Sequence, residues 1–178
     1  ILKKIFSIKL KIKDLFDENG APIYYRTTGG RYFKVITNYS TGSTKEKPIF
    51  IKKEHRDSIG ATMSSNLFFW YYQIYSNNLD LKGYEIESFP FPSEKISSKR
   101  SDINNFYLKY LEDIEKNVCI RKTEKYANID SFKEYKISKS KHLIDKIDDI
   151  ICPLYGLTPE ETEFIKNYEI ECRMSDEE

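Results

Sequence analysis

A chain of 178 residues is long enough to bury a sizeable core as one domain with a helical extension. Its longest strongly apolar stretch, LFFWYYQIY at 67–75, is about half the length of a membrane-spanning helix, and its three cysteines, Cys119, Cys152 and Cys172, show no C-x-x-C spacing, which disfavours a zinc site or a disulfide framework and fits a reducing cytoplasm. The formal net charge of +1 gives no global attraction to a polyanion, yet residues 1–60 hold 13 Lys or Arg against 6 Asp or Glu, while the remainder holds 16 against 22.

The opening ILKKIFSIKLKIKD lacks the small-residue cleavage site of a secreted precursor, and Ile1 in place of Met reads as an excised fragment. Phe6, Ile8, Leu10 and Ile12 alternate with Ser7, Lys9, Lys11 and Lys13, which predicts a strand with a lysine face. DENGAP at 17–22 predicts a turn. PIYYR and RYFKVIT then read as two strands joined by TTGG, a basic, ring-rich hairpin that suits nucleic acid or is simply a hairpin. A polar loop at 38–48 and a short strand IFIKK follow.

From Asp57 the period becomes helical, through Ile59, Met63, Leu67, Trp70, Tyr71 and Ile74, with Ser64, Ser65 and Asn66 placed to cap or break the helix. Rings on every side of 68–75 predict a buried central helix. GYEIESFPFP at 83–92 predicts a strand that ends at its prolines. Ile103, Phe106, Tyr107, Tyr110, Leu111, Ile114 and Val118 trace a long amphipathic helix, and residues 138–151 a second. CPLYGL breaks the pattern, and TPEETEF restarts a helix with Thr158 as cap, Pro159 in the first turn and Glu161 completing a capping box. The acidic MSDEE end reads as frayed. Together these elements predict an α+β fold: a β-rich region over 1–100 with a central aromatic helix, and a helical spacer with C-terminal helices over 101–178.

Chemistry is sparse. His55 and His142 have no nucleophile motif beside them, no His/Cys/Asp/Glu cluster has ligand spacing, and neither TTGG nor STGS is a phosphate-loop pattern. Asp130, Glu134 and Lys136 form a D-x-x-x-E-x-K string, but with so many charges E-x-K arises by chance and the aspartate lies too close. No metal and no catalytic residue is expected in this chain.

In order, PIYYRTTGGRYFKVITNYSTGSTKEKP, SSNLFFWYYQIYSNNLDLKGYEIESFPFP and DDIICPLYGLTPEETEFIKNYE resemble the C-terminal part of bacterial Eco57I-like, or type IIG, restriction-modification methylases, from about residue 20 onward. The resemblance implies a target-recognition region similar to the TaqI methylase specificity domain. It implies a larger enzyme whose N-terminal domain methylates adenine at N6 with S-adenosylmethionine and which in some members also cleaves DNA. The family's N-P-P-[YF] motif is absent from this chain, so the reader alone is expected here, without enzyme activity. Its partners would be double-stranded DNA and the methyltransferase domain of the same polypeptide.

By that resemblance residues 1–92 face DNA, with Arg26, Thr27, Thr28, Arg31, Lys34, Ser43, Thr44, Lys45 and Lys47 as contacts and Gly29 and Gly30 allowing close approach. The competing readings are a stand-alone specificity subunit or a protein-docking module using helices 101–119 and 138–170; the absence of an RRM-type sheet motif disfavours RNA.

Overall fold

The computed structural model describes residues 1–28, 34–76, 80–122 and 131–174. The opening alternation does not make a strand. Residues Leu2–Phe6 form helix α1, and Ile12–Leu15 form a 3-10 turn, burying Ile5, Ile12 and Leu15. Between them the chain is extended but meets only one short partner: the Ile12 N–H donates to the Phe89 carbonyl at 3.0 Å and the Phe91 N–H to the Leu10 carbonyl at 2.8 Å. Pro90 and Pro92 lack the N–H groups that a longer ladder needs, so pairing stops at a bridge between Lys11 and Pro90.

Strands β1 (Phe16–Arg26), β2 (Ile36–Thr37) and β3 (Glu46–Ile51) form an antiparallel sheet in the order β2-β1-β3. DENGAP lies inside β1 as an excursion rather than a turn between strands: both Phe16 and Ala21 pair with Ile51, leaving Asp17 to Gly20 looped out. The expected hairpin pairs Tyr24 with Thr37 and Tyr25 with Ile36, with its second strand shorter than RYFKVIT predicts.

Helices α2 (Arg56–Ser64) and α3 (Asn66–Tyr75) are separated at Ser65, whose extended backbone breaks the first and whose Oγ caps the second by accepting from the Phe68 N–H at 3.1 Å. Leu67 to Tyr72 are all buried, as the ring of aromatic residues predicts, and Trp70 is 6% exposed. The last turn emerges, with Ile74 and Tyr75 exposed. The predicted strand at 83–92 begins instead as helix α4 (Gly83–Glu87), because the buried Glu85 turns back to accept from the Lys82 N–H at 2.7 Å. Helix α5 (Ser93–Ser98) leads into the long α6 (Arg100–Lys116). Gly60 lets α2 cross α6 closely, since a Cβ there would lie 2.4 Å from the Tyr107 hydroxyl.

After α6 the chain makes an antiparallel hairpin, β4 (Val118–Lys122) with β5 (Ser131–Tyr135), which the helical reading of 101–178 missed. Helix α7 (Lys141–Leu154) and helix α8 (Pro159–Asn167) follow, the latter opened by the expected capping box at Thr158 and Glu161, and α9 (Ile170–Met174) ends the described chain. The fold is α+β. One hydrophobic cluster runs from Ile5 to Ile165 through both predicted regions. The first hundred residues are more helical than β-rich, and the buried stripe of α6, Ile103, Tyr107, Tyr110, Leu111 and Ile114, packs into this core rather than spacing two bodies.

Candidate functional site

Three elements converge on one groove: the end of β1, the loop before β3 and the β4–β5 hairpin. Glu46, the first residue of β3, organises the loop by accepting from the Ser40 hydroxyl at 2.8 Å, the Thr41 N–H at 2.9 Å and the Thr41 hydroxyl at 2.6 Å. Gly42 has φ of 74°, a backbone conformation that favours glycine, and so carries the turn. Thr27 fastens the far end, its N–H and its hydroxyl donating to the Lys45 carbonyl at 2.9 and 3.1 Å.

Arg26 ties the loop to the hairpin. One terminal nitrogen donates to the Lys133 carbonyl at 3.1 Å and the other to the Thr41 hydroxyl at 3.0 Å, while its guanidinium lies 4.9 Å from the centre of the Tyr135 ring. Behind it Glu115 of α6 accepts from the Tyr39 hydroxyl at 2.8 Å, from the Tyr135 hydroxyl, and from the Lys133 ammonium at 3.1 Å. Burial pushes the Glu115 carboxyl up, but the hydrogen bonds from Tyr135, Tyr39 and Lys133 outweigh it and leave it below its ordinary value. Burial and the same carboxylate push the hydroxyls of Tyr39 and Tyr135 up. Burial also lowers Arg26, against the attraction of Tyr135, Glu46 and Glu115.

The resulting groove has a volume of about 530 Å³. One side is polar, formed by Arg26, Thr41, Gly42, Ser43, Thr44 and Lys45; the other is the hairpin, with Ile120, Ser131, Phe132 and Lys133. Ile120 is 71% exposed and Phe132 50%, and because Ile120 pairs with Lys133 and Phe132 with Arg121 the two side chains lie on opposite faces of the hairpin, Ile120 on that of Lys133.

Of the residues expected from sequence, Arg26, Ser43, Thr44 and Lys45 meet at this groove. Arg26 holds the groove together through both of its terminal nitrogens. Lys34 lies away from this groove: its ammonium sits 5.3 Å from the centre of the Tyr72 ring beside α3, and burial lowers its pKa. Thr27 serves the loop, Thr28 is half-buried, and Lys47 is exposed on β3 opposite Tyr25 without lining the groove. Gly29, Gly30 and Arg31 lie outside the described residues.

Ile120, Phe132, Lys133 and the Glu115 network were not anticipated. The only local signal is the strand propensity of the rings Phe132 and Tyr135 in SFKEY, which show no period-two alternation. Of the D-x-x-x-E-x-K string Asp130 is outside the described residues, while Glu134 pairs with Arg121 at 2.5 Å and Lys136 at 3.0 Å as a surface ion cluster across the hairpin. Among the described residues no group of three or more His, Cys, Asp or Glu could hold a metal ion, and no helix is long and apolar enough to cross a membrane. Compared with family models, curated proteins and solved structures, the chain matches none.

Proposed function

We propose that the chain is a double-stranded DNA recognition module, the specificity part of an Eco57I-like restriction-modification methyltransferase that modifies adenine at N6. In this reading catalysis and S-adenosylmethionine binding belong to an N-terminal domain of the same polypeptide, and this chain reads DNA without transferring a methyl group or cutting. The single observation that carries the reading is the convergence of Ser43, Thr44 and Lys45 with Arg26 at one groove. Lys45 makes no ion pair among the described residues, so its ammonium is available to a phosphate, and the hydroxyls of Ser43 and Thr44 can set register along a strand. Arg26 acts indirectly by positioning the loop against the hairpin.

The test is titration of labelled duplexes at several salt concentrations with the wild-type chain and with Lys45→Ala. A lost phosphate contact lowers affinity for all sequences and reduces the salt slope by about one unit. Unchanged affinity and slope in a folded Lys45→Ala variant would overturn the assignment of this face to DNA.

A protein-docking reading has its own supporting observation, though not at the helices first considered for it. Phe6 of α1 and Tyr75 of α3, 46% and 47% exposed, stack edge to face at 5.4 Å on the surface beside Ile74. Binding through such an apolar patch would be nearly insensitive to salt, whereas binding at the groove would weaken steeply.

A further inference from the structure

The register of the β4–β5 hairpin decides which of its side chains the groove meets. Ile120 pairs with Lys133 and Lys122 with Ser131, so these four share one face, while Arg121, Phe132 and Glu134 lie on the other. The first face is the inner one. Its Lys133 ammonium reaches Glu115 at 3.1 Å, and its Tyr135 ring lies 4.9 Å from the Arg26 guanidinium. Ile120, Ser131 and Lys133 accordingly line the groove, and Lys122, opposite Ser131, stands at its rim.

Charge divides this wall in two. Lys122 is exposed and, like Lys45 on the loop opposite, makes no ion pair among the described residues. Lys133 is held back: Glu115 takes its ammonium on Oε2 and keeps Oε1 for the hydroxyls of Tyr39 and Tyr135. The terminal nitrogens of Arg26 are committed to the Lys133 carbonyl and the Thr41 hydroxyl. The groove is therefore flanked by one open ammonium on each side, with the hydroxyls of Ser43, Thr44 and Ser131 in its lining.

Its volume of about 530 Å³ is that of a small-ligand site, roughly 300 to 1,000 Å³, which admits a stretch of one sugar–phosphate backbone and excludes a duplex. Single charges recur along such a strand about every 3.4 Å of helix axis, and separate ammoniums with a row of hydroxyls suit that spacing better than they suit a compact polyphosphate.

We propose, resting on the DNA-contacting reading, that this groove holds the backbone of one strand of the duplex between two walls: Lys45 on the loop and Lys122 on the inner face of the hairpin, with Lys133 restrained by Glu115.

The experiment titrates a labelled duplex at several salt concentrations with the full chain and its variants, each checked for folding by circular dichroism and thermal melting. A lysine that grips a phosphate contributes about one unit of salt slope. Lys122→Ala should lose about one unit, as Lys45→Ala does. Arg121→Ala removes a cation one residue away on the outer face, where it pairs with Glu134, and should leave the slope unchanged. Glu115→Gln keeps an oxygen for the two tyrosine hydroxyls and turns an uncharged amide toward Lys133. It should therefore bind more tightly and gain about one unit of slope, a gain that Lys133→Ala in the same chain should erase.

An unchanged slope in folded Lys122→Ala, an equal loss in Arg121→Ala, no gain in Glu115→Gln, or a gain that survives Lys133→Ala overturns the two-walled groove. If Lys45→Ala still loses its unit, duplex contact at the loop stands without the second wall. No duplex binding by the wild-type chain removes the groove and the DNA reading together.

Discussion

Where α7 crosses the start of α3, Asp148 is fully buried and its carboxylate is consumed by the fold, accepting from the Asn66 N–H at 3.0 Å, the Asn66 side-chain amide at 2.7 Å and the Leu67 N–H at 3.1 Å. At the groove beside the β4–β5 hairpin the arrangement is reversed: apolar Ile120 and Phe132 face solvent, and Lys45 has no ion pair among the described residues. The difference separates charges used to hold the molecule together from charges left for something else. Four of the 13 cations in residues 1–60 belong to the first kind. Lys4 pairs with Glu161 at 2.6 Å, Arg56 with Asp57 at 2.8 Å, Lys34 lies over Tyr72, and Arg26 clamps the hairpin. A charge count along the chain therefore overstates what is available to a partner.

The contrast breaks if the crossing turns out to be tolerant. Trp70, in the same buried helix as Asn66 and Leu67, is expected to destabilise the chain by about 3 to 5 kcal/mol when changed to Ala, measured by chemical denaturation. A loss below about 1 kcal/mol would place α3 outside the core.

Asp148 sharpens the comparison through pH. Burial pushes its carboxyl from 3.8 up to about 6, with the Asn66 and Leu67 hydrogen bonds opposing and Asp145 adding. A carboxyl raised in the folded state contributes stability that is complete below its ordinary value and is lost as pH rises through about 6. Asp148→Asn cannot ionise, so its stability relative to wild type should improve by on the order of 2 kcal/mol between about pH 4 and pH 7. Urea denaturation of both proteins across that range checks this, and a difference independent of pH would mean that Asp148 does not titrate there.

Arg26→Ala should cost about 1 to 2 kcal/mol, because two hydrogen bonds between the loop and the hairpin disappear. Hydrogen exchange should accelerate at β4 and β5 and in residues 41–45 while α3 and α7 stay protected. Uniform acceleration would deny Arg26 its local role. Lys45→Ala, at the open end of the scale, should change stability by no more than about 0.5 kcal/mol, since the side chain is exposed and outside the core.

Much of the helical scaffold was legible in the sequence, because 3.6-residue spacing and caps are local signals. The buried α3, the break at Ser65, the long α6 and the capping box at Thr158 followed from them. The strands were harder to read. Alternation at 6–13 needed a partner strand, and Pro90 and Pro92 could not supply the donors. The 83–87 stretch became helical through a cap made by its own Glu85, which strand propensity does not register.

At the groove the loop residues Ser43, Thr44 and Lys45 were legible as a basic, glycine-containing segment. The placement of the hairpin opposite that loop was not legible, because Arg26 meets Lys133 across 107 residues of sequence, a contact that only the fold supplies.

The central claim is that the open charge beside the hairpin, rather than the basic surplus as a whole, is what meets DNA. Its most direct measurement is the salt dependence of duplex binding in Lys45→Ala compared with Lys34→Ala, with both variants checked for folding. The account predicts that the Lys45 variant loses affinity and about one unit of salt slope, while the Lys34 variant keeps the wild-type slope because its ammonium lies against Tyr72. Equal slopes in wild type and Lys45→Ala, or a slope lost only in Lys34→Ala, would contradict it.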